Sequence, residues 1–116
     1  MKTLVKRWFD KWTQGDFLNL TISDDFRHTS PYGLIDGKEN YINLVDANKK
    51  KFLGHKFEIL DELYEKDRAC VRYTAIKDDF TLEVSEWHYF GNGQIKEIFA
   101  YYNIEGEISE GRKLSS

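Results

Sequence analysis

The spacing of hydrophobic and polar positions changes twice along this chain. From Leu4 to Trp12 the apolar residues recur at helical intervals. Leu4, Trp8 and Trp12 fall at i, i+4 and i+8, with Val5 and Phe9 beside them, while Lys2, Lys6, Arg7, Asp10 and Lys11 take the opposite face. The pattern predicts an amphipathic helix that stops near Thr13, where Gln14-Gly15 supplies a C′ glycine. Asp16 is placed to N-cap a second, short helix through Phe17, Leu18 and Leu20.

The next stretch is less regular. Thr21-Ile22-Ser23-Asp24-Asp25 reads as a turn into a short strand around Phe26-Arg27-His28-Thr29. Ser30-Pro31-Tyr32-Gly33 ends that strand, because proline lacks the donor a ladder needs. Leu34-Ile35 reads as a connection. Asp36-Gly37-Lys38-Glu39 has the form of a capping box with Asp36 as N-cap, and opens a helix from about Lys38 to Phe52. Tyr41, Val45, Asn48 and Phe52 form its apolar stripe. Lys49-Lys50-Lys51 lies in its last turn, where positive charge suits the helix dipole, and reads as a solvated helix end rather than an anion site.

From His55 onward the period becomes two. Strands are predicted from His55 to about Tyr64, Arg68 to Lys77, Phe80 to Phe90 and Gln94 to Ile104, joined by the short turns Glu65-Lys66-Asp67, Asp78-Asp79 and Gly91-Asn92-Gly93. Short polar turns between long strands give an antiparallel meander. Helices grouped before such a sheet make an α+β fold, read here as one domain over residues 1–116 with a frayed tail at 105–116.

Strand parity locates the chemistry. In the Phe80–Phe90 strand, Phe80, Leu82, Val84, Glu86, His88 and Phe90 share one face. Three apolar residues lead that set, so it faces the helices, and Glu86 and His88 point inward with it. An inward carboxylate is costly unless it is paired or wetted. In the His28 strand, Phe26, His28 and Ser30 share a face, with Phe26 the natural core residue. Glu86, His88, His28, Ser30 and Tyr32 therefore form a polar cluster in an aromatic-walled cavity. Glu86, His88 and His28 are the candidate acid–base groups. Trp8, Trp12, Phe26 and Phe90, with Ser30 and Tyr32, are the candidate ligand contacts.

Composition narrows the function. Seventeen Lys and Arg against twenty Asp and Glu leave a net charge of −3, which disfavours a nucleic-acid partner. A single cysteine, Cys70, excludes an internal disulfide framework and a cysteine zinc cluster, and suits a cytoplasmic protein. Charges interrupt every apolar run, so neither a membrane span nor a signal peptide is expected. The 18 aromatic residues are roughly twice normal usage. They imply a curved sheet with rings left over for a pocket or an interface. Trp87 and Tyr89, on the outward face of the Phe80–Phe90 strand, are expected to meet a second copy of the chain.

The order of these elements, and residues within them, resembles the nuclear transport factor two-like superfamily, in the branch of SnoaL-like polyketide cyclases and ketosteroid isomerases. The residues that carry the likeness are Trp8-Phe9, Gly15-Asp16, Ile22-Ser23-Asp24-Asp25-Phe26, Ser30-Pro31-Tyr32-Gly33, Gly37 and Phe90-Gly91-Asn92-Gly93-Gln94-Ile95. They extend over roughly residues 3 to 104. The resemblance implies a cone with a deep pocket, a homodimer through the sheet, and isomerase or cyclase chemistry on a small hydrophobic molecule, without a cofactor. The isomerases' Asp base falls on Ser30, their oxyanion tyrosine on Trp8 and their protonated carboxylate on Glu86. Three readings remain open here: an acid–base enzyme using Glu86, His88 and His28; a non-catalytic binding or dimerisation module; and, from two imidazoles and one carboxylate, a metal site, although no metal is expected.

Overall fold

The structure, a computed structural model, describes residues 2–103. Helix α1 (Lys2–Gln14) buries Leu4, Val5, Trp8, Phe9 and Trp12, the stripe set by the sequence spacing. Gly15 ends it at φ +75°, with Asp16 N–H bonded to the Lys11 carbonyl at 2.8 Å, a glycine-terminated C-cap. A 3₁₀ turn follows at Phe17–Asn19. Asp16 does not cap it. Its carboxylate accepts instead from Lys11 at 3.0 Å and from the Asn19 amide at 2.7 Å.

Strand β1 (Ile22–Ser30) is longer than the sequence predicts. Ser23-Asp24-Asp25 is polar, yet it continues the strand through a register shift between Ile22 and Arg27. Strand β2 (Gly33–Asp36), read from sequence as a connection, pairs antiparallel with β1. It is a short, mostly exposed edge, so no alternation marks it. Helix α2 runs only from Lys38 to Ala47. Asn48 leaves the helical region at φ −128° and donates its side-chain amide to the Leu44 carbonyl, which divides the predicted helix and leaves α3 (Lys49–Phe52) as a single turn. The capping box does not form. Gly37, not Asp36, occupies the N-cap, and Asp36 turns its carboxylate toward Arg27.

The remaining strands are β3 (Lys56–Tyr64), β4 (Arg68–Lys77), β5 (Phe80–Gly91) and β6 (Gln94–Tyr101). The last stops three residues short of the predicted end, and the tail at 105–116 lies outside the described residues. Sheet order is β2-β1-β6-β5-β4-β3, antiparallel except for β1 beside β6. The helices cover one face of this curved, unclosed sheet. No helix among the described residues is long and apolar enough to cross a membrane.

Rings dominate the interior. Phe9 meets Tyr73 edge-on at 4.8 Å, Phe26 meets Tyr41 at 5.1 Å, and Trp8 meets Trp12 at 5.7 Å. These are the edge-to-face contacts that aromatic quadrupoles favour. Phe26, Ile22, Ile98 and Val71 close the core beneath them.

Candidate functional site

The Asp78-Asp79 turn fixes where the polar groups meet. Lys77 pairs with Phe80, so each β4 residue faces the β5 residue whose number brings the sum to 157: Tyr73 faces Val84, and Val71 faces Glu86. Tyr73 and Glu86 are then diagonal neighbours on the inward face, within reach of two long side chains. The Tyr73 hydroxyl donates to Glu86 Oε2 at 2.7 Å. His88 lies two residues beyond Glu86 on the same face, and its Nε2–H donates to Oε1 at 2.8 Å. Across β6, Glu86 stands opposite Ala100, whose small side chain leaves space above the carboxylate.

Glu86 is 3% exposed, and its environment acts on it in opposite directions. Burial pushes the carboxyl up. The hydrogen bond from His88, the two neighbouring imidazoles and the Tyr73 hydroxyl outweigh that and hold it below the ordinary carboxylate value. The group is an anion at neutral pH. His88 Nδ1 has no hydrogen-bond partner among the described residues. The ring's bonded nitrogen is Nε2, which faces Glu86.

A cavity of about 860 Å³ opens above this carboxylate. Trp8, Phe9, Trp12, Tyr41, Phe57 and Tyr73 form its inner wall. His28 borders it too, its ring 5.2 Å from that of Tyr41. Burial draws the His28 imidazole below its usual value, more than the charge of Glu86 raises it, so it is neutral near pH 7. Its Nδ1 also lacks a partner. Burial and the charge of Glu86 push the Tyr41 phenol well above its usual value, so it stays a hydrogen-bond donor.

The sequence-derived candidates divide. Glu86, His28, Trp8, Trp12 and Tyr32 border the cavity, Tyr32 at its exposed outer end. His88 lies behind Glu86, fully buried and off the cavity wall. Phe26 and Phe90 are core residues instead of wall, because β1 carries Phe26 beneath Tyr41 and Trp8. Ser30 is not on the wall either, and its Oγ accepts from the Tyr32 N–H at 3.2 Å. Tyr41 and Tyr73 were not singled out by sequence. Both sit in apolar stripes, and only the β4–β5 register reveals Tyr73. Among the described residues no group of three or more His, Cys, Asp or Glu converges as metal ligands would.

On the outer sheet face, Trp87, Tyr89, Phe99 and Tyr101 border a shallow depression, with the Arg68 guanidinium over the Tyr89 ring at 5.2 Å. Trp87 and Tyr101 are exposed there.

No model of a known protein family matches the chain, and no curated protein matches it. Solved structures do. An NTF2-like protein of unknown function from Cytophaga hutchinsonii superimposes with a TM-score of 0.75 at 21% identity, covering 88% of each chain. A SnoaL-like protein of unknown function from Burkholderia thailandensis gives 0.74 at 20% identity, covering 88% of this chain and 93% of the other. A Kribbella flavida protein proposed to be a ketosteroid isomerase gives 0.75 at 16% identity, covering 96% and 83%. At such identities the likeness speaks to architecture alone. The chain has the α+β nuclear transport factor two-like fold of these proteins.

Proposed function

We propose that the cavity binds a small hydrophobic carbonyl compound and that Glu86 moves a proton on it. The observation that carries this reading is a carboxylate buried at the floor of a ring-walled cavity, held by Tyr73 and His88. The carboxylate takes a proton from the carbon beside the carbonyl. The C–H electron pair passes into the enolate, and the protonated Glu86 returns the proton to the same or a conjugated carbon. The Tyr41 hydroxyl and His28 lie at the same end of the cavity and suit the carbonyl oxygen. His88 positions Glu86 and does not touch substrate. The likeness to a protein proposed as a ketosteroid isomerase supports the same class of reaction.

The test is hydrogen–deuterium exchange at the α-carbons of 2-tetralone, followed by proton NMR. Exchange faster than buffer, abolished by Glu86→Gln, is expected. Exchange at an unaltered rate in that variant removes Glu86 from the reaction.

A second reading is a binding module without turnover. Both Glu86 oxygens already accept a strong hydrogen bond, which weakens the group as a base. Saturable 2-tetralone binding without exchange selects it. We further propose that the Trp87 and Tyr89 face pairs with a second copy of the chain. A monomeric mass in sedimentation equilibrium at micromolar concentration contradicts this.

A further inference from the structure

The mouth of the cavity has a chemistry its floor does not share. Lys50 and Lys51 of α3 and Lys77 at the end of β4 stand on the rim, next to Asp78, Asp79 and Phe80. Of the other lysines, Lys6 pairs with Asp10, Lys11 with Asp16 and Lys49 with Asp46. Among the described residues Lys50, Lys51 and Lys77 pair with none, although two aspartates adjoin them. The Lys77 ammonium donates instead to the Lys50 carbonyl. Its aliphatic chain runs over Gly54, where a Cβ would come within 3.4 Å of Lys77 Cε. This bond ties Lys77 to the backbone of Lys50, whose side chain also borders the cavity. The lysine run is divided by its surroundings: Lys49 faces solvent and Asp46, while the next two face the cavity mouth.

Below the rim the walls are mainly apolar, with Phe52, Phe57 and Leu82 and with His55 beside them. Glu86 lies six steps along β5 from Phe80, about 20 Å at roughly 3.3 Å per residue. The floor is anionic and repels a negative group, whereas the rim attracts one. Three lysines against two aspartates leave the rim positive by one, which suits one anionic head and disfavours a polyanion.

We propose that the cavity takes an elongated amphiphile with a single anionic head, its apolar body inserted first and its head held by Lys50, Lys51 and Lys77. This rests on the reading of the cavity as a site for an apolar ligand, and adds the head group and the direction of entry.

The probes are dodecanoate, 1-dodecanol and dodecylammonium, each below its micellar concentration. Binding is followed by quenching of Trp8 and Trp12 in a Trp87→Phe background, which removes the tryptophan on the outer sheet face. Dodecanoate is expected to bind roughly tenfold more tightly than the alcohol, the gain of several exposed charge contacts acting together. The preference should collapse in 0.5 M salt. Lys50→Gln/Lys51→Gln should remove most of it, and adding Lys77→Gln the rest, with dodecanol affinity unchanged. Equal binding of dodecanoate and dodecanol overturns the rim assignment while the apolar cavity stands. Tightest binding by dodecylammonium overturns it and shifts the charge selection to Glu86. Binding of none of the three overturns both readings.

Discussion

Tyr73→Phe removes one oxygen and leaves the ring contacts in place, 4.8 Å to Phe9 and 5.8 Å to Phe57. The substitution therefore isolates the 2.7 Å hydrogen bond to Glu86. Tyr73 is 8% exposed and Glu86 3%, so solvent screening does not discount the interaction. A hydrogen bond to a buried charged group contributes about 1.5–3 kcal/mol. We take about 2 kcal/mol at pH 7, which for a domain of this size lowers the thermal midpoint by roughly 8 °C. Urea unfolding monitored by tryptophan fluorescence gives the free energy directly. The slope with denaturant should not change, because the exposed area does not. A loss under about 0.5 kcal/mol refutes an ionised Glu86, since that is the low end for a bond between neutral partners.

Acid should destabilise the protein. Burial lowers the folded His28 value, so below about pH 6.5 the unfolded imidazole takes up a proton that the folded one refuses. Its effect is absent at higher pH and grows as pH falls from 6.5 toward the folded value. Glu86, depressed in the fold, adds stability above its unfolded value of about 4.3 that is lost as pH falls through the folded value. Thermal midpoints should fall between pH 7.5 and 5, and His28→Asn should flatten the upper part of that profile. His55, also lowered by burial, keeps a residual slope. Separately, Gly37→Ala should cost about 1–3 kcal/mol in urea unfolding, because φ +96° with ψ 141° is open to glycine alone. Space is not the obstacle, as a Cβ there would meet Asn40 Nδ2 at 3.8 Å.

The parts of this fold that sequence revealed are those with a sustained period. Alternation along β5 placed Glu86 and His88 inward with Val84, and the i, i+4 spacing set the buried face of α1. The parts it hid lack a period or break one. Ser23-Asp24-Asp25 carries turn-type side chains through a shifted strand, and the four residues of β2 lie exposed at an edge. Asn48 breaks a helix whose apolar stripe continues through it, by a side-chain bond that no periodicity reports. The site was half legible for the same reason. Parity says which face a side chain takes, but not which partner strand stands opposite. Tyr73 needed the β4–β5 register, and Tyr41 needed the packing of α2 over β1. Parity also set Phe26 and Phe90 inward without separating core from cavity wall.

The account turns on the charge of Glu86. Carbon-13 NMR of the δ-carboxyl in glutamate-labelled protein, with the resonance assigned by its loss in Glu86→Gln, reads that charge as a function of pH. The predicted result is a carboxylate shift throughout pH 5–8, with the titration lying below the ordinary glutamate range. A carboxyl that takes up its proton above pH 5 contradicts the account, because the floor of the cavity would then hold a neutral acid where the proposed chemistry needs a base.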